Sequence, residues 1–199
     1  MTRNPLYAFL LKAVLWLPVC LGLWYWMAEW FNGPAVMVSG WIMKLFFSGW
    51  VESMEWSHRI LSVSTTLKLE MSPGMQAGEY ALILEVNPLT YGFGLPLFVA
   101  LFLAGNEANR WRKLALGALL LIPFQAWGIC FDLLKQVAVT AGPTISEQTG
   151  FSPWKIEGIA LGYQFGALIL PALAPIGLWL ALNPRFIPML VLEGALRKL

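Results

Sequence analysis

Charge is scarce in this chain. Lys and Arg number 13 and Asp and Glu 11 among 199 residues, 12% in all, which is about half the share of a soluble domain. That scarcity excludes an ordinary water-facing surface, and a net charge of +2 is too small to point to nucleic acid. Cysteine is nearly absent. Cys20 and Cys130 both sit in apolar runs, so neither a disulfide framework nor a zinc spacing is present. The P-loop, GxGxxG, HExxH and GxSxG patterns are all missing, so no cofactor and no metal are expected. No internal repeat or low-complexity linker occurs.

What fills the chain is hydrophobic: 58% of residues, with 11 Trp and 12 Phe. About 20 apolar residues cross a bilayer as a helix. Four segments qualify as spans, Tyr7–Ala28, Pro88–Ala104 (short), Leu114–Leu134 and Ile159–Leu182. The first carries Arg3 and Lys12 at its start and Trp24, Trp26 and Trp30 at its far end, where aromatics meet headgroups. LWYWMAEW lacks a small-x-small cleavage pattern, so an uncleaved anchor is expected rather than a signal peptide. Basic residues of short loops mark the cytoplasmic side. Arg3, the loop NRWRK (Asn109–Lys113) and the tail cations Arg185, Arg197 and Lys198 agree if both termini lie inside. The other side then carries Glu52, Glu55, Glu70, Glu79, Glu85, Glu147 and Glu157.

Pro34–Val51 is long enough to span, but Gly40, Lys44, Ser48 and Glu52 recur every four residues and predict a polar stripe on one helix face. Lys44 at mid-bilayer would cost roughly 2.5–3.5 kcal/mol. An amphipathic helix on the outer surface is the expectation, with a re-entrant or true span as the alternative.

His58–Met71 alternates strictly, Val63, Thr65, Leu67, Leu69 and Met71 against Ser62, Ser64, Thr66, Lys68 and Glu70. SPGMQAGE reads as a turn. YALILEV alternates again, with Tyr80, Leu82, Leu84 and Val86 on one face. The pattern predicts a β-hairpin that must lay its apolar face on the surface helix, the membrane or a partner. One integral membrane domain results: 1–30 a first span, 31–57 an interfacial helix, 58–87 the hairpin, 88–199 three spans and a cytoplasmic tail.

Between hairpin and second span lies NPLTYGFGLP (Asn87–Pro96). Asn87-Pro88 stops a strand. Gly92 and Gly94 are expected to let the backbone turn, and Pro96 is tolerated in a first helical turn. A regular helix from about Leu95 leaves only about ten residues, too few to cross, so TYGFG is expected to be non-helical and buried. The stretch reads as a rigid strand-to-helix coupler.

NPLTYGFGLPLFVALFLA, the basic loop and LLLIPFQAWGICFDLLK together resemble the exosortase H-associated membrane proteins over most of the chain. The resemblance implies a multi-pass protein of the bacterial inner membrane, associated with an exosortase and its C-terminally tagged substrates. It assigns no catalytic residues. Exosortases themselves are held to use a membrane-embedded Cys with Arg and His, so Cys130 with His58 and Arg59 is the set to weigh for a small thiol protease or transpeptidase. Against it stand too few spans and an apolar setting for Cys130, where a thiol is inert.

Asp132 and Lys135, three apart on a helix, are placed to pair, either as an interfacial ion pair or to read a substrate's polar motif. Gln125 and Gln164 lie at membrane depth, for one interhelical hydrogen bond or a partner's helix. Gly158, Gly162 and Gly166 recur every four residues, for close helix contact. FIPMLVLEGALRKL reads as a surface-lying tail. The fold expected is membrane α-helical: four transmembrane helices, an outer-surface amphipathic helix and an extracytoplasmic β-hairpin. The function expected is a non-catalytic accessory subunit whose partner-binding residues are Asn87, Pro88, Tyr91, Gly92, Gly94, Pro96, Gln125, Asp132 and Lys135. The thiol enzyme is the alternative. A transporter or channel is disfavoured by the lack of a polar ladder.

Overall fold

A computed structural model of the protein describes residues 5–69, 80–105, 109–184, 186 and 188. The hairpin loop with Glu70, Met71 and Glu79, the cations Arg3, Arg185, Arg197 and Lys198, and nearly all of the tail lie outside them. The chain is mostly helical, with a small sheet inserted after the second helix. The elements run α1 (Pro5–Trp26), α2 (Ala28–Phe46), β1 (Val51–Ser57), β2 (Ile60–Leu69), β3 (Tyr80–Val86), α3 (Leu89–Gly92), α4 (Gly94–Ala104), α5 (Arg110–Lys135), α6 (Pro143–Thr149), α7 (Pro153–Gln164) and α8 (Leu170–Leu182). A π-helical turn, Gln136–Thr140, extends α5, and another, Phe165–Ile169, fuses α7 to α8. The second leads to Pro171, whose ring would strike the carbonyl four residues back in a straight α-helix, and the wider turn accommodates it.

Among the described residues three helices are long and apolar enough to cross a membrane: Leu6–Trp26, Arg110–Thr140 and Pro153–Leu182. The expected fourth, Leu89–Ala104, is shorter. At 1.5 Å per residue it reaches about 24 Å, against a hydrocarbon core of about 30 Å. Phe9 of α1 stacks on Trp179 of α8 at 5.1 Å, and Lys113 Nζ donates to Asn183 Oδ1 at 2.8 Å. The starts of α1 and α5 and the end of α8 therefore share one end of the bundle, the basic end. The sheet occupies the other.

The sheet has three antiparallel strands in the order β1-β2-β3, one more than the hairpin read from sequence. Leu61, Val63, Thr65 and Leu67 of β2 and Leu84 and Val86 of β3 are buried, while Thr66, Lys68, Ile83 and Glu85 face out. The inward row packs on Met43 of α2, Ile129 and Leu133 of α5, Val137 and Ile145. The chain itself thus supplies the cover its sheet needs. The register shifts at two places, one of them between Val51 and Ser53 of β1. Between Ser64 and Lys68 the β2–β3 ladder slips, and there Thr65 Oγ1 donates to the Leu82 carbonyl at 2.7 Å and accepts from Leu67 N–H. The Gln148 side chain of α6 then clasps Lys68 like a further strand, accepting from its N–H at 3.0 Å and donating to its carbonyl at 2.9 Å.

The predicted stripe Gly40–Lys44–Ser48–Glu52 is not a helical stripe. α2 ends at Phe46, Ser48 lies in a turn and Glu52 in β1. The reason is tertiary: Trp50 and Val51 are buried in the sheet core, and Met54 and Trp56 reach Gly40 and Gly33 of α2. The interval 31–57 is therefore a helix followed by a strand. The outward face of α2 carries Trp30, Met37, Trp41, Lys44, Leu45 and Phe46, whereas Asn32 and Ser39 are buried and bonded to helix carbonyls.

Candidate functional site: the Tyr91 junction

The coupler Asn87–Pro96 is built differently from its expectation. Asn87 Oδ1 accepts from Leu89 N–H at 3.1 Å, so the side chain satisfies a donor that a helix start leaves open. Leu89–Gly92 is a full helical turn, Phe93 stays in the right-handed region (φ −67, ψ −11), and α4 follows directly. TYGFG is thus nearly continuous helix. Among the described residues only Gly142 and Gly150 are glycines with positive φ, so Gly92 and Gly94 are not turn residues. They are contact residues. A Cβ on Gly92 would run into the Asn32 side chain, and one on Gly94 would sit 2.6 Å from the Pro171 carbonyl oxygen. That carbonyl gains no partner four residues on, because Pro175 has no N–H. Pro96 falls in the first turn of α4, where its missing N–H costs nothing.

These close approaches seat Tyr91 at the meeting point of α3 and α5. Its ring lies where a Cβ of Gly128 would be. Its hydroxyl, on a side chain only 2% exposed, donates to Asp132 Oδ2 at 2.9 Å, a charge-assisted bond. Asp132 Oδ1 faces Lys135 Nζ at 3.7 Å and Gln136 Nε2 at 3.5 Å. Gln136 Nε2 also donates to the Glu85 carbonyl at 3.0 Å. Lys135 Nζ stands 4.2 Å from the centroid of the Tyr163 ring, within cation–π range. One partly buried carboxylate thereby ties the end of β3, the coupler, the end of α5 and α7 together. Sequence spacing indicated the Asp132–Lys135 pair. It held no sign of Tyr91, Gln136 or Tyr163 in the same network, since their contact is tertiary.

Gln125 is buried and lines a small cavity of about 10 Å³ with Tyr91, Gly94 and Pro171, room for about one water. Gln164 is exposed. Gly162 and Gly166 lie against Phe131 and Gly128 of α5, while Gly158 has no near neighbour, so two of the three spaced glycines serve contact within the chain.

Cys130, His58 and Arg59 are not brought together. Cys130 is buried, with Sγ 3.8 Å from the Ser39 carbonyl. His58 is exposed and its Nδ1 is 2.8 Å from Ser57 Oγ. Arg59 lies 4.4 Å over the Tyr25 ring. No hydrogen bond or ion pair joins the three among the described residues, and a thiol nucleophile needs its base within hydrogen-bond reach. No group of three or more His, Cys, Asp or Glu side chains is placed to hold a metal among the described residues.

Three long apolar helices, a nearly charge-free outer surface on α1 and a small polar junction define an integral membrane protein. The family model of the exosortase H-associated membrane proteins matches residues 3–186, and the chain belongs to that family. No curated protein and no solved structure matches it.

Proposed function

We propose that this protein is a non-catalytic accessory subunit of an exosortase-linked sorting system, meeting the enzyme or its substrate's tail where the sheet joins the helices. It lies in the bacterial inner membrane with four passes, both termini cytoplasmic, and the sheet in the periplasm. α2 lies in the outer interface, where Trp30, Trp41 and Phe46 are exposed in the manner of interfacial aromatics. The carrying observation is the Tyr91–Asp132–Lys135 junction. It ties the end of β3 to α3, α5 and α7 and leaves Asp132 and Lys135 partly open, with side chains 17% and 27% exposed. A polar motif just outside a substrate's hydrophobic span meets both charges there. The separation of Cys130 from His58 supports a non-catalytic role.

The test is co-purification from gently solubilised native membranes with a C-terminal tag, together with substrate processing in the same cells. Wild type is expected to bring down an exosortase in stoichiometric amount. Lys135→Glu is expected to lower recovery or processing at least tenfold, at unchanged abundance. Cys130→Ala is expected to leave processing intact. Recovery of this chain alone, or loss of processing in an abundant Cys130→Ala protein, sinks the proposal.

A further inference from the structure

A second feature lies away from the junction and does not depend on that reading. Between α1, α4 and α5 runs an open cleft of about 260 Å³, lined by Trp16, Cys20, Leu23, Pro96, Val99 and Leu114 among other apolar side chains. An apolar cavity of about 150 Å³ already takes benzene, so this one has room for a stretch of hydrocarbon chain. Its walls offer almost no polar group, which fits no polar solute.

Its basic end is charged. On α1, Lys12 precedes Trp16, Val19 and Leu23 by four, seven and eleven residues, which places all four on one helix face. On α5, Arg110 precedes the lining residue Leu114 by four. Side chains tilt toward a helix's N-terminus, and the starts of both helices lie at the basic end. Lys12 and Arg110 therefore extend about one turn, roughly 6 Å, beyond the cleft. Lys12 is exposed and Arg110 half-buried. Neither is ion-paired among the described residues, and Arg110 only stacks on Trp111 at 5.2 Å. A charge on a span face calls for a partner, and two such charges flank one end of one apolar cleft. We infer that the cleft holds an acyl chain of an anionic phospholipid, whose phosphate sits between Lys12 and Arg110.

The test uses the full-length protein in detergent micelles, with phosphatidylglycerol or phosphatidylcholine added and retained lipid counted by native mass spectrometry. One phosphatidylglycerol is expected to be retained in about twenty-fold preference to phosphatidylcholine. Lys12→Gln and Arg110→Gln should each cut that preference about fivefold, the equivalent of about 1 kcal/mol per cation. Val99→Trp, which fills the cleft, should abolish retention. Equal retention of the two lipids by wild type, or an unchanged preference in both charge variants, overturns the proposal. So does a Val99→Trp protein that keeps its lipid but loses a co-purifying protein, because the cleft then belongs to a partner's helix.

Discussion

The two ends of the molecule follow opposite rules of burial. In the sheet, Leu61, Val63 and Leu67 point inward while Thr66, Lys68 and Glu85 face out, the arrangement water imposes. Along α1 the order reverses: Leu11, Val14, Leu15, Val19 and Leu23 are exposed. At the foot of α8 the polar Asn183 is the buried group, donating to the Trp179 carbonyl and accepting from Lys113. An apolar exterior is stable only in a hydrocarbon solvent, and a polar exterior only in an aqueous one. The change of rule along one chain therefore suits two different solvents, and the Tyr91 junction links the sheet to the helices.

Substitutions can break this contrast. The largest expected effect is Val63→Asp, which buries an unpaired charge under the sheet. It should cost at least about 4 kcal/mol and deprive the protein of a cooperative melt in detergent. Thr66→Asp, on the outward face of the same strand, should stay within about 0.5 kcal/mol. Similar losses at both positions would mean that the sheet's two faces are not aqueous and buried as described. An intermediate effect is expected at the junction. Tyr91→Phe removes the hydroxyl that serves Asp132, and should lower stability by about 1.5–3 kcal/mol, and its loss should be less than additive with that of Asp132→Asn. Additive losses in that double-mutant cycle would show that the two side chains are not coupled. The smallest effect sharpens the register argument. Thr65→Val keeps shape but leaves the Leu82 carbonyl without its donor, for about 1 kcal/mol and faster hydrogen exchange at Leu67. Exchange unchanged at Leu67 would remove the hydroxyl from any role in the slipped ladder.

The contrast also explains what sequence could and could not reveal. Alternation in β2 and β3 was legible because one face is buried and the other exposed, so the period of two is written in polarity. α1, α5 and the α7–α8 helix were legible from length and hydropathy. β1 was not. VESMEWS alternates only from Ser53 on, because Glu52 and Ser53 are both polar where the β1–β2 ladder shifts; a coincidental four-residue spacing of Gly40, Lys44, Ser48 and Glu52 competes with it, and burial of Trp50 and Val51 decides. The β1–β2 turn was hidden for another reason. His58 and Arg59 both have positive φ, 50 and 68, as a two-residue type I′ turn requires, yet that turn normally announces itself as Asn-Gly. At the site, the pair Asp132–Lys135 follows from helical spacing alone. The purpose of Gly92 and Gly94 does not, since a glycine needed for conformation and one needed for close approach are the same letter.

The Gln148 clasp on Lys68 has a consequence in time. The two residues are separated by 80 positions, and α3, α4 and α5 lie between them. β2 precedes α6 in the chain, so the Lys68 backbone groups have no Gln148 partner until α6 is made. Ile145, Leu133 and Ile129, which floor the sheet, also arrive later. The N-terminal third of the chain is thus an unfinished domain until α5 and α6 are in place. Release of the chain after residue 135 would leave the Lys68 backbone without the Gln148 side chain, so the completed sheet requires the chain through α6.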